Sequence, residues 1–141
     1  MTHDDLSALF GVRCDPLPMR DGSTAVDIIT PFSFFDGDGL DIFARSAGAH
    51  VHLFDDGCTL HWLEGLGLRL SNDRRRWAPI RNAAGAYSVT LTDDGALEVL
   101  APAESAPAAF ARLVSAQLAI DAWARTAVGA PADAEWLIDE A

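Results

Sequence analysis

The spacing of apolar residues changes along the chain, and each change predicts an element. Leu6, Leu9 and Phe10 share one side of a short helix over Asp5 to Phe10, which Gly11 ends. Val12 to Met19 contains Pro16 and Pro18, so it reads as no more than an edge strand or an extended lead-in. A turn at Arg20-Asp21-Gly22-Ser23 precedes a strand from Ala25 to Thr30, rich in β-branched residues and stopped by Pro31. After the tight turn Asp36-Gly37-Asp38-Gly39, residues Leu40 to Arg45 alternate strictly. Leu40, Ile42 and Ala44 lie on one face, and Asp41, Phe43 and Arg45 on the other. Ala47-Gly48 is a hairpin loop and His50 to Phe54 the returning strand.

Downstream the period switches. Leu60 and Leu63, continued by Leu66 or Gly67, have helical spacing after Asp55-Asp56-Gly57, with Thr59 as a cap; a strand is the less favoured alternative. Ser71 or Asn72 is placed to cap the next helix, which Pro79 restricts at its start and Gly85 ends. Tyr87 to Thr92 and Ala96 to Leu100 flank Asp93-Asp94-Gly95 as a hairpin. The run Val51 to Gly57 echoes Val89 to Gly95, which we read as recurring turn chemistry and not as a repeat. The longest helix begins near Ser105 or Pro107 and reaches about Thr126. Phe110, Leu113, Ala116 or Gln117, Ile120 and Trp123 form its sheet-covering stripe.

The expected fold class is therefore α+β: a small, mostly antiparallel sheet with hairpins, two short central helices, and a long C-terminal helix packed on the sheet. Residues 1–128 are expected to form one domain. Residues 129–141 form an acidic-apolar tail in which Trp136, Leu137 and Ile138 either fold back or serve as a linear binding motif; folding back is favoured because it hides a sticky patch.

Charge narrows the chemistry. The 141 residues carry a formal net charge of −11, which disfavours direct binding to nucleic acid or to anionic membranes. All ten basic residues are arginines, so Schiff-base chemistry, a lysine general base and a GxxxxGK[ST] phosphate loop are excluded. Two cysteines, Cys14 and Cys58, are too few for a disulfide framework. No apolar run approaches the ~18 residues of a membrane span, and the acidic start is unlike a secretory signal; a cytoplasmic location is expected.

Several residues are candidates for chemistry. His50 and His52 share a strand face, and His61 follows a turn bearing Asp55, Asp56 and Cys58; these are metal-ligand types, but their spacing matches no zinc pattern. Asp41 with Asp55 and Asp56 at a strand end is the candidate catalytic set for Mg²⁺-dependent phosphodiester cleavage. Asp36, Asp38 and Asp41 resemble a calcium loop, yet Ala47 stands where the bidentate acid is needed. Cys58 and His61 form a dyad only if the fold brings them together. Arg74, Arg75 and Arg76 with Trp77 and Arg81 make the local basic cluster, a candidate binding surface together with Trp136.

Thr30-Pro31 through Asp41, Leu53-Phe54-Asp55-Asp56-Gly57-Cys58-Thr59-Leu60, an arginine-bearing helix before the next strand, and the helix around Gln117 carry a resemblance. Over these segments the chain resembles a bacterial and prophage family of domains of unknown function, number eighteen twenty-eight in that series. The resemblance implies a small bacterial domain, sometimes followed by a second one, and implies no activity.

The expected function is a non-catalytic protein-interaction or regulatory module, encoded by a prophage or mobile element. It would need no cofactor, and its partner would be a protein, one that itself binds nucleic acid being a natural choice for so acidic a surface; self-association is a further expectation. The alternative is a metal-dependent phosphodiester hydrolase built on the strand-end carboxylates and histidines.

Overall fold

Alternation builds the sheet. In the computed structural model, which describes residues 1–70 and 73–129, the inward-pointing residues Val26, Ile28, Ala44, Val51, Leu53, Leu97 and Val99 are all buried. Among the described residues six strands pair in one antiparallel sheet, ordered β1-β2-β3-β4-β6-β5. They are β1 Cys14–Pro16, β2 Ala25–Ile28, β3 Phe43–Ala47, β4 His50–Phe54, β5 Thr90–Leu91 and β6 Leu97–Pro102. The edges are blunt: β1 ends in a proline and β5 is two residues long.

Among the described residues there are four α-helices, α1 His3–Ala8, α2 Cys58–Gly65, α3 Ala78–Gly85 and α4 Ala106–Val128. Of these, α1, α3 and α4 pack against the sheet, and α2 adds Trp62 and Leu63 to the same core. The fold is α+β, as the pattern predicts. The first helix starts earlier than the apolar spacing indicates, because Thr2 and Asp5 close a capping box, each side chain accepting the other's backbone N–H at 3.1 Å. The long helix α4 buries Ala109, Leu113, Ala116, Gln117, Ile120 and Ala124. Its stripe is thus rotated from the expected one. Alanines, which allow close approach to the sheet, occupy the contact line, while Phe110 and Trp123 are half-buried beside it. Phe110 meets Phe10 edge-on at 5.9 Å, so α1 and α4 lie on the same side of the sheet. No helix among the described residues is long and apolar enough to cross a membrane.

Turn residues set the strand boundaries. Gly48, at φ +64°, opens the two-residue loop between β3 and β4, one position later than expected. The strand expected from Tyr87 shrinks to Thr90–Leu91, because Tyr87, Ser88 and Val89 return their N–H groups to Ala84 and Gly85 carbonyls at the end of α3. Ser71 and Asn72, the expected caps, lie outside the described residues, as does the tail beyond residue 129. Within the described chain Asp73 caps the short 3-10 helix Arg74–Trp77 that leads into α3.

Gly95 offers a direct test of turn strain. Its φ is +88°, and a Cβ there would stand 2.6 Å from Leu60 Cδ2, whereas Gly22 at φ +76° faces open space. Gly95→Ala should lower unfolding stability by about 1–3 kcal/mol from backbone strain, and Gly22→Ala should show that strain without the added contact. Urea midpoints with unchanged m-values check both; equal losses would remove the Leu60 contact from the account.

Candidate functional site

The residues singled out for catalysis meet near the start of α2, but they do different jobs. Asp55 follows the last residue of β4 and is fully buried. Gly57 N–H and Leu97 N–H donate to its Oδ1 at 2.9 and 2.8 Å, and Thr59 N–H donates to Oδ2 at 3.0 Å. The Thr59 hydroxyl bonds it as well. Burial pushes this carboxyl above the usual range, while the hydrogen bonds from Leu97, Thr59 and Gly57 pull the other way. Asp55 thus caps α2 from two residues before its N-cap, Gly57, and anchors the start of β6. Its lone pairs are taken up by the protein.

A chain of polar contacts continues behind it. Gln117 of α4 donates its Nε2–H groups to Thr59 Oγ1 at 3.1 Å and to the Asp41 carbonyl at 3.3 Å. Asp56 is exposed at φ +56°, where a short acidic side chain tolerates the left-handed conformation. Asp41 is exposed and receives the Cys58 thiol as a hydrogen-bond donor.

Asp38, Leu40, Asp41, Cys58, His61 and Trp62 line a cleft of about 400 Å³ between the 34–41 loop and the first turns of α2. Trp62 holds that loop. Its ring stacks on Phe34 at 3.8 Å, and its indole N–H donates to Asp36 Oδ2 at 2.9 Å. The Asp38 backbone N–H and this indole together hold the Asp36 carboxyl below its ordinary range. Buried Asp121 of α4 adds a second tie, accepting the Phe35 N–H at 2.7 Å. Inside the cleft the Cys58 thiol is pushed up to about 12 by burial and by the negative charges of Asp41, Asp55 and Asp56. A nucleophilic cysteine needs the opposite environment. Cys58 and His61 therefore share a cleft without forming an activated pair.

The histidines do not converge. His61 is exposed at the cleft, and His50 is exposed at the hairpin end of β4. His52 lies on the sheet face opposite the helices, with Nδ1 3.2 Å from Arg45 Nη2 and Nε2 2.7 Å from Glu98 Oε2. A guanidinium can only donate, so Nδ1 accepts and Nε2–H donates to Glu98. Among the described residues no three His, Cys, Asp or Glu side chains are placed to hold a metal ion.

The basic cluster is engaged internally. Arg74 donates to the Asp93 carbonyl at 2.6 Å, Arg75 forms a two-pronged pair with Asp73, and Arg76 donates to the Arg69 carbonyl at 2.9 Å. Arg81 is exposed on α3. Trp77 is buried, its indole N–H donating to the Leu70 carbonyl at 2.9 Å, so its ring is a core element with no face open to a base. Trp136 lies outside the described residues.

The helix-free face of the sheet is the feature that the sequence pattern does not disclose. Phe43 and Phe54 pair across β3 and β4 with ring centroids 5.6 Å apart, and the His52 ring stacks on Phe54 at 4.9 Å. Leu100 beside them is 64% exposed. Phe43, Phe54 and Leu100 each break the alternation of apolar and polar residues along their strands, but only the pairing register shows that they share one face.

The Asp55 and Cys58 environments lead to two expected outcomes. Asp55→Asn turns one acceptor oxygen into a donor facing backbone N–H groups, and should cost about 2–4 kcal/mol of stability; chemical denaturation checks it. At about pH 8, native Cys58 should react with iodoacetamide several hundredfold or more slower than in the unfolded chain, and Asp41→Asn should speed it. Site-resolved mass spectrometry reads both, and fast native labelling would contradict the assigned environment.

Over residues 30–120 the chain matches the family described as "Domain of unknown function DUF1828". No curated protein and no solved structure matches it. The matched span contains the 34–41 loop, the cleft, Asp55 and Gln117, and leaves out α1, β1 and β2. Covering well over half of the sequence, this match places the chain in the DUF1828 family, whose function is unknown.

Proposed function

We propose that this chain is a non-catalytic protein-interaction module that works through its acidic, helix-free sheet face. The observation that carries the reading is the cross-strand pair of half-buried rings Phe43 and Phe54 with Leu100, 64% exposed, on the same sheet face, a face on which no helix packs among the described residues. The surplus of carboxylates favours a basic protein surface over nucleic acid or an anionic membrane.

The state of the chemically capable groups supports the same reading. A hydrolase built on Asp41, Asp55 and Asp56 would need Asp55 to exchange backbone donors for a metal ion, dismantling the start of α2 and β6. The thiol in the cleft is held protonated by burial and by its acidic neighbours. Nothing in the geometry favours that second reading.

Tagged protein incubated with lysate of its source organism at about 50 mM and about 500 mM salt should retain a defined partner at the lower salt and release much of it at the higher. Parallel assays on single- and double-stranded nucleic acid with Mg²⁺, Mn²⁺ or Zn²⁺ should show no turnover. Retention of no protein at either salt, or turnover abolished by Asp41→Asn, would overturn the reading.

A further inference from the structure

Directly paired residues of an antiparallel sheet point to the same side, so the helix-free face can be read in rows across the strands. One row runs Asp15, Asp27, Phe43, Phe54, Glu98 and Thr90, crossing all six strands. The next row on that face runs Ala25, Arg45, His52 and Leu100. The centre of the face is apolar and its flanks are acidic. Phe43 and Phe54 sit on β3 and β4, with Asp27 one strand out on one side and Glu98 one strand out on the other. Arg45, the cation within the face, is engaged by Asp21 at 3.7 Å and by His52.

We infer that this face docks a basic amphipathic helix of a partner protein, laid along β3 and β4. Its apolar stripe rests on Phe43, Phe54 and Leu100, and cationic side chains on its two edges reach Asp27 and Glu98. The inference rests on the protein-interaction reading above and adds the partner's chemistry.

Dimensions support it. With strands about 4.8 Å apart, β2 and β6 lie about 7 Å to either side of the line between β3 and β4. A helix about 10 Å across therefore covers the aromatic pair and brings its flanking side chains over the acids. Charge also discriminates between occupants. If two copies of this chain stack about a two-fold axis, Asp27 meets either Asp27 or Glu98, acid on acid in both cases. Asp27 is already crowded, its carboxyl raised by burial and by the charges of Asp41 and Asp15, so an incoming cation relieves it and a second acid aggravates it. The edges offer little for strand addition, since β1 ends in proline and β5 is two residues long.

The probe is a synthetic amidated helical peptide with a leucine stripe flanked by arginines; its control carries the same leucines flanked by glutamates. Titrated into ¹⁵N-labelled full-length protein, the arginine peptide should shift amide signals on β2, β3, β4 and β6, and the glutamate peptide should not. Phe43→Ser with Phe54→Ser should weaken binding at least about tenfold. Asp27→Asn with Glu98→Gln keeps side-chain shape and leaves an amide oxygen at position 98 to accept from His52. It should weaken binding severalfold and flatten its salt dependence, with an unchanged amide spectrum of the free variant as the check on its fold. Equal binding of both peptides, shifts centred on Asp38, Asp41 and His61 of the cleft, or a dimer of the free protein broken by Phe54→Asp would overturn the inference. If the Phe43→Ser, Phe54→Ser protein still retains its partner from lysate, the sheet face is wrong both as the docking site and as the surface named in the proposed function, and only the protein-interaction role stands.

Discussion

A carboxylate buried without a cation beside it must be held by neutral donors, and Asp55 is held by three backbone N–H groups and one hydroxyl. Each donor belongs to a part of the chain that would otherwise end unsatisfied. Gly57 and Thr59 lie at the start of α2, where helical N–H groups lack partners, and Leu97 opens β6. One side chain therefore joins the end of β4 to the beginnings of a helix and of its neighbouring strand. Thr59 passes the connection to Gln117 of α4, and Gln117 passes it to the carbonyl of Asp41 ahead of β3. The sheet and the layer of helices are tied by a polar line running through an apolar core. Such a line adds little net stability per bond, but any displaced member leaves a buried group unpaired.

That constraint determines what is left for function. The inner face of the sheet is closed by helices, and Asp55 is committed to structure. The 34–41 loop is tied down by Trp62 and Asp121. Asp41 remains exposed, and burial together with the charges of Asp41, Asp55 and Asp56 keeps the adjacent thiol protonated, so Cys58 is not a ready nucleophile in the cleft. Arg74 and Arg76 donate to the backbone carbonyls of Asp93 and Arg69, and Arg75 pairs with the Asp73 carboxylate. Arg76 Nε is buried without a hydrogen-bond partner among the described residues. Among the described residues, the outer face is the one on which no helix packs.

Elements governed by local chemistry were readable in advance. Proline marked the edge strand, and glycine marked the hairpin loops and with them the returning strand β4. Alternation from Leu40 to Arg45 picked out the buried Leu40, Ile42 and Ala44, although the paired strand β3 begins only at Phe43. Two kinds of feature were not. The first were local but compositionally quiet: an aspartate completes the capping box at Thr2, and alanines carry the buried line of α4 where the large residues drew the eye to its flank. The second were non-local. Leu97 stands far along the chain from Asp55, and no pattern near Asp55 announces it. Trp77 likewise sits among arginines, so its burial depends on the Leu70 carbonyl and the neighbouring elements rather than on its own surroundings in sequence.

The two Asp-Asp-Gly turns show how far local identity reaches. Both contain a glycine at positive φ, and a Cβ on Gly57 would lie 3.8 Å from the Gly95 carbonyl, so the turns lie side by side where β4 and β6 pair. Yet Asp55 is buried and Asp93 is almost wholly exposed, facing Arg74 at 3.4 Å. The element downstream of each turn decides the difference. After Gly57 the chain enters a helix whose free N–H groups need an acceptor. After Gly95 it enters an alternating strand, and the Thr92 hydroxyl suffices by accepting the Ala96 N–H at 3.0 Å. The same three residues therefore build a hairpin in one place and the central anchor in the other, because the demand for an acceptor arises in the helix or strand that the chain enters and not in the turn itself.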